Sequence, residues 1–342
     1  MTSTSHSKKS HSALILPGAV SKGAYEAGVI SVLAQHDVRI DRIVATSSGA
    51  LNGVAYAAGI RAGREREMVE KLTRAWIELG SWHDALRITP LGLLTGKGLS
   101  NRNGLLKMLN ELVSPCSHSN KREVELRIIV ASVNGVRGAI GKTPASTYEK
   151  VIHFSGRDFD SAEGLERIFN ATTAACAFPG LFSPVELEGL GPCFDGGTVN
   201  NAPIAYALDE GDIDRVIMPV PFREFIEKPK TPRGFGLFNH LINILINERL
   251  YRDLKDAEVV NEKVSALNAL VSSEVLTPEQ LQAVISILHI RKVKMIQIRP
   301  EKNLGGTVFS GFFYKNERKK YLQEGRKAAL KSLSEAPFLS PA

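Results

Sequence analysis

Twice near its start the chain runs a short apolar segment into a tight turn bearing Gly or Ser, and then into a helical stretch. The first passage is Ala13–Leu16, then Pro17–Gly23, then Ala24 to about Gln35. The second is Val38–Ala45, then Thr46-Ser47-Ser48-Gly49, then Ala50–Ala58, ending at Gly59. That second helix is rich in small side chains, which let a helix lie close against a sheet. Strand–turn–helix units in succession point to parallel strands joined by helical crossovers. The alternation continues with a helix over about Glu65–Leu79, strands at Glu125–Val133 and Tyr148–Phe154, and a helix over Gly164–Ala177 stopped by Pro179. Short strands follow at Val185–Leu187 and Cys193–Phe194, then a strand at Arg215–Val220, a helix over Gln280–His289, a strand at Met295–Ile298 and a closing helix over Glu317–Leu333. Residues 80–104 read as a loop followed by a short helix. The expected fold class is α/β, a mostly parallel sheet covered on both faces.

Composition narrows the classes further. A chain of 342 residues can bury a sizeable core, and 43% hydrophobic with 23% charged residues excludes disorder, collagen and low complexity for the whole. No internal repeat or flexible linker interrupts residues 13–333, so one domain over 13–342 is expected after a disordered tail at 1–12. No run approaches the roughly 18 uninterrupted apolar residues of a spanning helix. The opening MTSTSHSKKSHS is polar and basic, without the ~7–15 apolar residues of a secretory signal. Three cysteines, Cys116, Cys176 and Cys193, form an odd set without a CxxC. Reduced thiols in a cytoplasmic protein are therefore expected, with neither a disulfide framework nor a zinc site. The net charge of +7 comes from scattered residues. With no zinc finger, RNP-type strand or long basic helix, nucleic acid is not an expected partner; an anionic membrane surface would account for the charge equally well.

Three turns carry residues suited to chemistry. In Ile43-Val44-Ala45-Thr46-Ser47-Ser48-Gly49-Ala50 an apolar strand meets a sharp turn with Ser47 at its tip, and a small-residue helix follows. A nucleophile elbow needs that context, because it exposes the hydroxyl where the helix dipole favours developing negative charge. Against G-x-S-x-G, Ala45 replaces the first glycine and Gly49 keeps the second. Taken alone, the stretch fits equally a Ser47 or Ser48 that only N-caps the helix. Pro17-Gly18-Ala19-Val20-Ser21-Lys22-Gly23 turns from a strand into a helix and presents backbone N–H groups to an anion. It matches neither a P-loop nor G-x-G-x-x-G, and Lys22 either faces the site or is solvated. Phe194-Asp195-Gly196-Gly197 sets a carboxylate at a strand end, as a base or as an Asx-type turn. A serine needs a base to attack at neutral pH, most often His oriented by Asp. None of the eight histidines sits in a comparable turn, so a direct Ser–Asp dyad is the arrangement that needs no histidine.

In this order the three features resemble the patatin-like phospholipase family. Ala13 to Gly18, on through Gly28 and Val29, looks like its glycine-rich oxyanion block, Ala45 to Ala50 like its G-x-S-x-G elbow, and Asp195-Gly196-Gly197 like its D-G-[A/G] motif. Ala171 to Pro184 and Asn201-Ala202-Pro203 are further echoes, and the likeness spans roughly residues 13–220, leaving 221–342 as a helical, lid-like extension. The resemblance implies a three-layer α/β/α fold and lipid acyl hydrolysis without a metal or organic cofactor. By the same carry-over Ser47 attacks the ester carbonyl, Asp195 takes its proton and later activates water, and backbone amides of Gly18, Ala19 and Val20 hold the oxyanion. Lys22 and Gly23 shape that loop, and Ala45, Gly49, Gly196 and Gly197 support the motifs. The chain departs from the family's three glycines at Gly18-Ala19-Val20, and a β-branched Val at positive φ is a severe outlier.

The expected substrate is a phospholipid or other acyl-ester lipid. Two alternatives stay open: a weak or silent scaffold that binds lipid or protein as a regulatory module, and an acyltransferase using the same dyad. Phe235 to Ile246 holds large apolar residues, with Asn239, His240, Asn243 and Asn247 forming one polar stripe at helical spacing. It fits a buried core or dimer helix, and also a lid or interfacial patch that would bring the protein to a membrane periphery. Homo-oligomerisation is likewise left open.

Overall fold

The computed structural model describes residues 11–78, 103–116, 121–134, 148–209, 213–222, 235–288 and 290–335. Among these residues eight strands form one sheet: β1 (His11–Leu16), β2 (Arg42–Ala45), β3 (Glu125–Ser132), β4 (Glu149–Phe154), β5 (Val185–Leu187), β6 (Gly191–Asp195), β7 (Ile213–Pro219) and β8 (Lys294–Ile298). Their order is β5-β6-β3-β2-β1-β7-β8, with β4 also paired to β3. β3, β2, β1, β7 and β8 run parallel, whereas β4, β5 and β6 make antiparallel pairs. The fold is three-layer α/β/α with a mostly parallel central sheet.

Successive side chains of a strand point to opposite faces, and β1 shows what each face meets. Leu14 and Leu16 enter a core shared with α1 (Gly23–Gln35), α2 (Ser48–Ala62), α3 (Glu65–Glu78) and the Ala162–Ala175 and Lys315–Glu335 helices. Ala13 and Ile15 enter a second core with Ile242, Ile246, Leu250 and Leu254 of the Phe235–Ser272 helix. α1 meets the Lys315–Glu335 helix backbone to backbone through a pair of glycines. A Cβ on Gly28 would fall 2.2 Å from the Leu322 carbonyl oxygen, and one on Gly325 2.1 Å from that of Tyr25.

Several boundaries differ from those expected. β1 begins at His11, so His11 and Ser12, assigned above to the tail, pair with Ile213 and Arg215 of β7. β2 is confined to Arg42–Ala45; Val38 and Ile40 are buried outside the strand. α2 passes through Gly59 and stops at Gly63, whose φ of 61° is the left-handed C-cap. Gly59 serves packing instead: a Cβ there would lie 2.7 Å from that of Met68. The 80–104 loop lies almost wholly outside the described residues, and a helix begins at Asn103. The apolar stretch from Phe235 is the first part of one helix that continues to Ser272.

Strand register closes the long sequence gap between Ser47 and Asp195. Ala45, the last residue of β2, is opposite Ile128 of β3. β4 occupies the other edge of β3, pairing with Val130 and Ala131. β6 therefore takes up β3's first edge where β2 has left it, with Asp195 opposite Val130. The turn after β2 and the end of β6 thus meet above the same stretch of β3.

Candidate active site

Thr46 and Ser47 turn the chain between β2 and α2. Ser47 adopts φ 51°, ψ −136°, a conformation that costs a non-glycine residue about 1–3 kcal/mol. Its surroundings hold it there. Thr46 N–H donates to the Leu16 carbonyl at 3.1 Å, Ala50 N–H to that of Ser47 at 2.9 Å, and Cys176 Sγ to the same Ser47 oxygen at 3.1 Å. Gly49 is confined to glycine by contact, since a Cβ would fall 2.2 Å from the Leu16 carbonyl oxygen. Ala45 is accommodated by Gly53 in α2, where a Cβ would approach that of Ala45 to 3.1 Å. The glycine absent from the elbow motif is thus compensated one helical turn into α2.

The Ser47 hydroxyl makes no capping bond to α2. It donates to Asp195 Oδ2 at 2.7 Å, across 148 residues of sequence. The other carboxylate oxygen, Oδ1, accepts the Gly197 N–H at 2.8 Å, so Asp195 is an Asx-type turn residue and a serine partner at once. Both side chains are buried, Ser47 at 7% exposure and Asp195 at 2%. Burial pushes the Asp195 carboxyl up to about 7, against the lowering effect of its bonds from Ser47 and Gly197. Gly196 lets this turn sit on β3, as a Cβ would fall 2.2 Å from the Ile129 carbonyl oxygen.

The loop after β1 passes directly over the elbow. A Cβ on Gly18 would lie 2.6 Å from Ser47 Cβ and 3.2 Å from Ser47 Oγ. Gly18 N–H donates to Asn201 Oδ1 at 2.7 Å, and Ala19 N–H to Ser48 Oγ at 3.1 Å. Val20 takes φ 52°, a conformation that a β-branched residue rarely adopts. The loop's far side is anchored through Ser21, whose Oγ donates to the Val308 carbonyl at 2.6 Å and accepts the Gly311 N–H at 2.9 Å. Lys22 is buried rather than solvated: its ammonium lies 5.1 Å from the Phe222 ring centroid, and burial brings it down to about 8. Gly23 faces the Trp76 ring, which a Cβ would approach to 2.7 Å, and its carbonyl accepts from Asn52 Nδ2 at 3.0 Å.

Gly18, Ala19, Ser47, Asp195, Gly196 and Gly197 therefore converge on one place, with Ala45 and Gly49 packing the elbow beside them, whereas the Lys22 ammonium contacts Phe222 and Gly23 faces Trp76. Sequence motifs did not assign roles to Asn201, Ser48 or Cys176, which bond to Gly18, Ala19 and Ser47. Asn201 carried a signal only as part of Asn201-Ala202-Pro203 and Cys176 only within Ala171 to Pro184, while Ser48 stood in the elbow as an alternative N-cap; the sequence named a bonding partner for none of them.

The sequence matches the family described as Patatin-like phospholipase over residues 14–208. No curated protein sequence matches the chain. Among solved structures it is similar to VipD from Legionella pneumophila, at 13% identity and TM-score 0.41, covering 95% of this chain and 67% of that one. It is also similar to the type III effector protein ExoU, at 13% identity and TM-score 0.34, covering 94% of this chain and 52% of that one. A third is the ExoU–SpcU complex from Pseudomonas aeruginosa, at 15% identity and TM-score 0.27, covering 82% of this chain and 59% of that one. The chain thus spans only about half to two thirds of these proteins' matched chains.

Proposed function

Because the chain belongs to the patatin-like phospholipase family, we propose that it hydrolyses acyl esters of lipids through a dyad of Ser47 and Asp195. One observation carries this reading: the Ser47 hydroxyl donates to a buried carboxylate at 2.7 Å. Asp195, held near 7 by burial, is a base matched to neutral pH. Ser47 Oγ attacks the ester carbonyl carbon while its proton passes to Asp195 Oδ2. The tetrahedral oxyanion is held by amides of the loop over the elbow, with Ala19 N–H the best-placed donor, and by the N-terminus of α2. Gly18 N–H, committed to Asn201, supports the loop rather than receiving charge. Collapse breaks the bond to the alcohol, which leaves with the proton from Asp195. Water then attacks the acyl-Ser47 ester, giving its proton to Asp195, and Ser47 recovers that proton as the fatty acid departs.

The test is fatty-acid release from mixed phospholipid vesicles, with Ser47→Ala measured beside the wild type. The nucleophile's loss removes release entirely, and a fluorophosphonate probe labels Ser47 in the wild type. Release that persists in Ser47→Ala, or a label predominantly on another serine, rejects the dyad. A second reading, a silent lipid-binding scaffold, is favoured by the strained Val20 and by an Ala19 amide already satisfied by Ser48. It predicts neither release nor labelling. Acyl transfer by the same dyad would instead yield an acylated acceptor in place of free fatty acid.

A further inference from the structure

The Asn201 side chain is completely buried and grips both polar atoms of one residue of the loop over the elbow. Its Oδ1 accepts the Gly18 N–H at 2.7 Å, and its Nδ2 donates to the Gly18 carbonyl at 3.1 Å. The same Nδ2 reaches the Ile246 carbonyl at 3.4 Å, tying the grip to the Phe235–Ser272 helix. The carbonyl of one residue and the N–H of the next belong to a single planar trans peptide and point in opposite directions. Holding the Gly18 carbonyl toward Asn201 therefore turns the Ala19 N–H the other way. That N–H is found on Ser48 Oγ, the hydroxyl next to Ser47, at 3.1 Å.

We propose that Asn201 is a positioning residue, which fixes the Gly18–Ala19 peptide so that the Ala19 N–H is aimed at the elbow as an oxyanion donor. The proposal rests on the hydrolase reading for its chemistry, though not for its geometry. Ser48 Oγ is the resting acceptor of that N–H, and a developing oxyanion, being charged, is the stronger acceptor that replaces it. Gly18 is the one residue type the arrangement allows, since a Cβ would lie 2.6 Å from both Asn201 Oδ1 and Ser47 Cβ. Gly197 clears the other side of the carboxamide, where a Cβ would come within 2.9 Å of Oδ1. One side chain thereby bonds the loop after β1 and lies against the Asp195-Gly196-Gly197 turn, and the Ala19 N–H carries the link on to the elbow at Ser48.

The experiment compares wild type, Asn201→Asp and Asn201→Ala. Asp keeps the shape and one acceptor but removes the donor; Ala removes the carboxamide without adding charge beside Asp195. Two readouts are taken: kcat and KM on a soluble p-nitrophenyl ester, and hydrogen exchange at individual backbone amides. Losing an oxyanion donor lowers kcat by about 10²-fold or more, so both variants are expected to lose that much with KM within about threefold. Exchange at the Ala19 amide, which Asn201 does not touch, should speed up at least tenfold while amides of β1 and β2 stay protected. Unchanged Ala19 protection, or a kcat loss that disappears when rates are expressed per folded molecule, overturns the positioning role. If the wild type itself turns over no ester, the hydrolase reading fails, and Ala19 exchange alone decides this one. If neither variant folds, rapid exchange of the Ala19 amide or of the Asn201 Nδ2 protons in the wild type overturns it.

Discussion

Asp195 can accept the Ser47 proton only when ionised, and its carboxyl is held up near 7 by burial. Activity is therefore expected to rise with pH through about 7, and a kcat/KM profile flat between pH 5 and 8 would remove Asp195 from the role of base. Stability should move the opposite way. The folded value lies above the ordinary 3.8, so burial of the protonated acid is tolerated below about pH 4, and the folded state loses stability as pH rises through about 7. Asp195→Asn, which keeps the shape and cannot ionise, is expected to unfold later than wild type at pH 8, by on the order of 2–4 kcal/mol, while losing turnover. Denaturant melts at pH 5 and pH 8 check this: the advantage should shrink at the lower pH. Ser47 and Asp195 were legible as residues because each sits in a turn whose punctuation is local. Asn201's role was not, because it depends on a bond to Gly18 spanning 183 residues.

At the scale of elements, glycines report which helices touch. Gly28 and Gly325 let α1 and the Lys315–Glu335 helix meet at backbone distance, and a Cβ on either would lie about 2 Å from a carbonyl oxygen. Gly28→Ala or Gly325→Ala should therefore destabilise by about 2–3 kcal/mol despite the higher helix propensity of Ala. Thermal unfolding measures it, and a gain in stability for either variant would show that the helices can part without cost. Element type was readable from local pattern, since β1 and β3 are short apolar runs beside turns and α3 carries apolar residues at helical spacing. The end of α2 was misread because Gly59 looks like a stop signal in sequence. Met68, on the next helix, is what requires glycine there, and that contact exists only after folding.

For the molecule as a whole, the Phe235–Ser272 helix presents two apolar faces. Ile242, Ile246, Leu250 and Leu254 are buried against the sheet, whereas Leu237, Leu241, Ile244 and Leu245 are each about half exposed. The expected polar stripe does not supply the outer face: Asn239 accepts the Val308 N–H through its Oδ1, and Asn243 and Asn247 are half-buried. Among the described residues no helix is long and apolar enough to cross a membrane. Contact with a lipid surface through the exposed face predicts a division between substrates. Leu241→Ser with Leu245→Ser should lower hydrolysis of phospholipid vesicles about tenfold, from lost apolar burial, and leave turnover of a soluble ester within about twofold. Equal losses on both substrates would show instead that the face stabilises the fold.

The sequence by itself determined the α/β class, the order of the three turns and the identities of serine, aspartate and glycine within them, because strand, helix and turn signals are local. Only the tertiary structure decided that Asp195 meets Ser47, since that contact depends on β6 taking β3's edge two residues beyond the end of β2. It also decided the Asp195 titration, which follows from burial by distant elements, and the aim of the Ala19 amide, which follows from a carboxamide on the far side of the chain. Register and burial are properties of neighbours in space, and no single turn encodes its own.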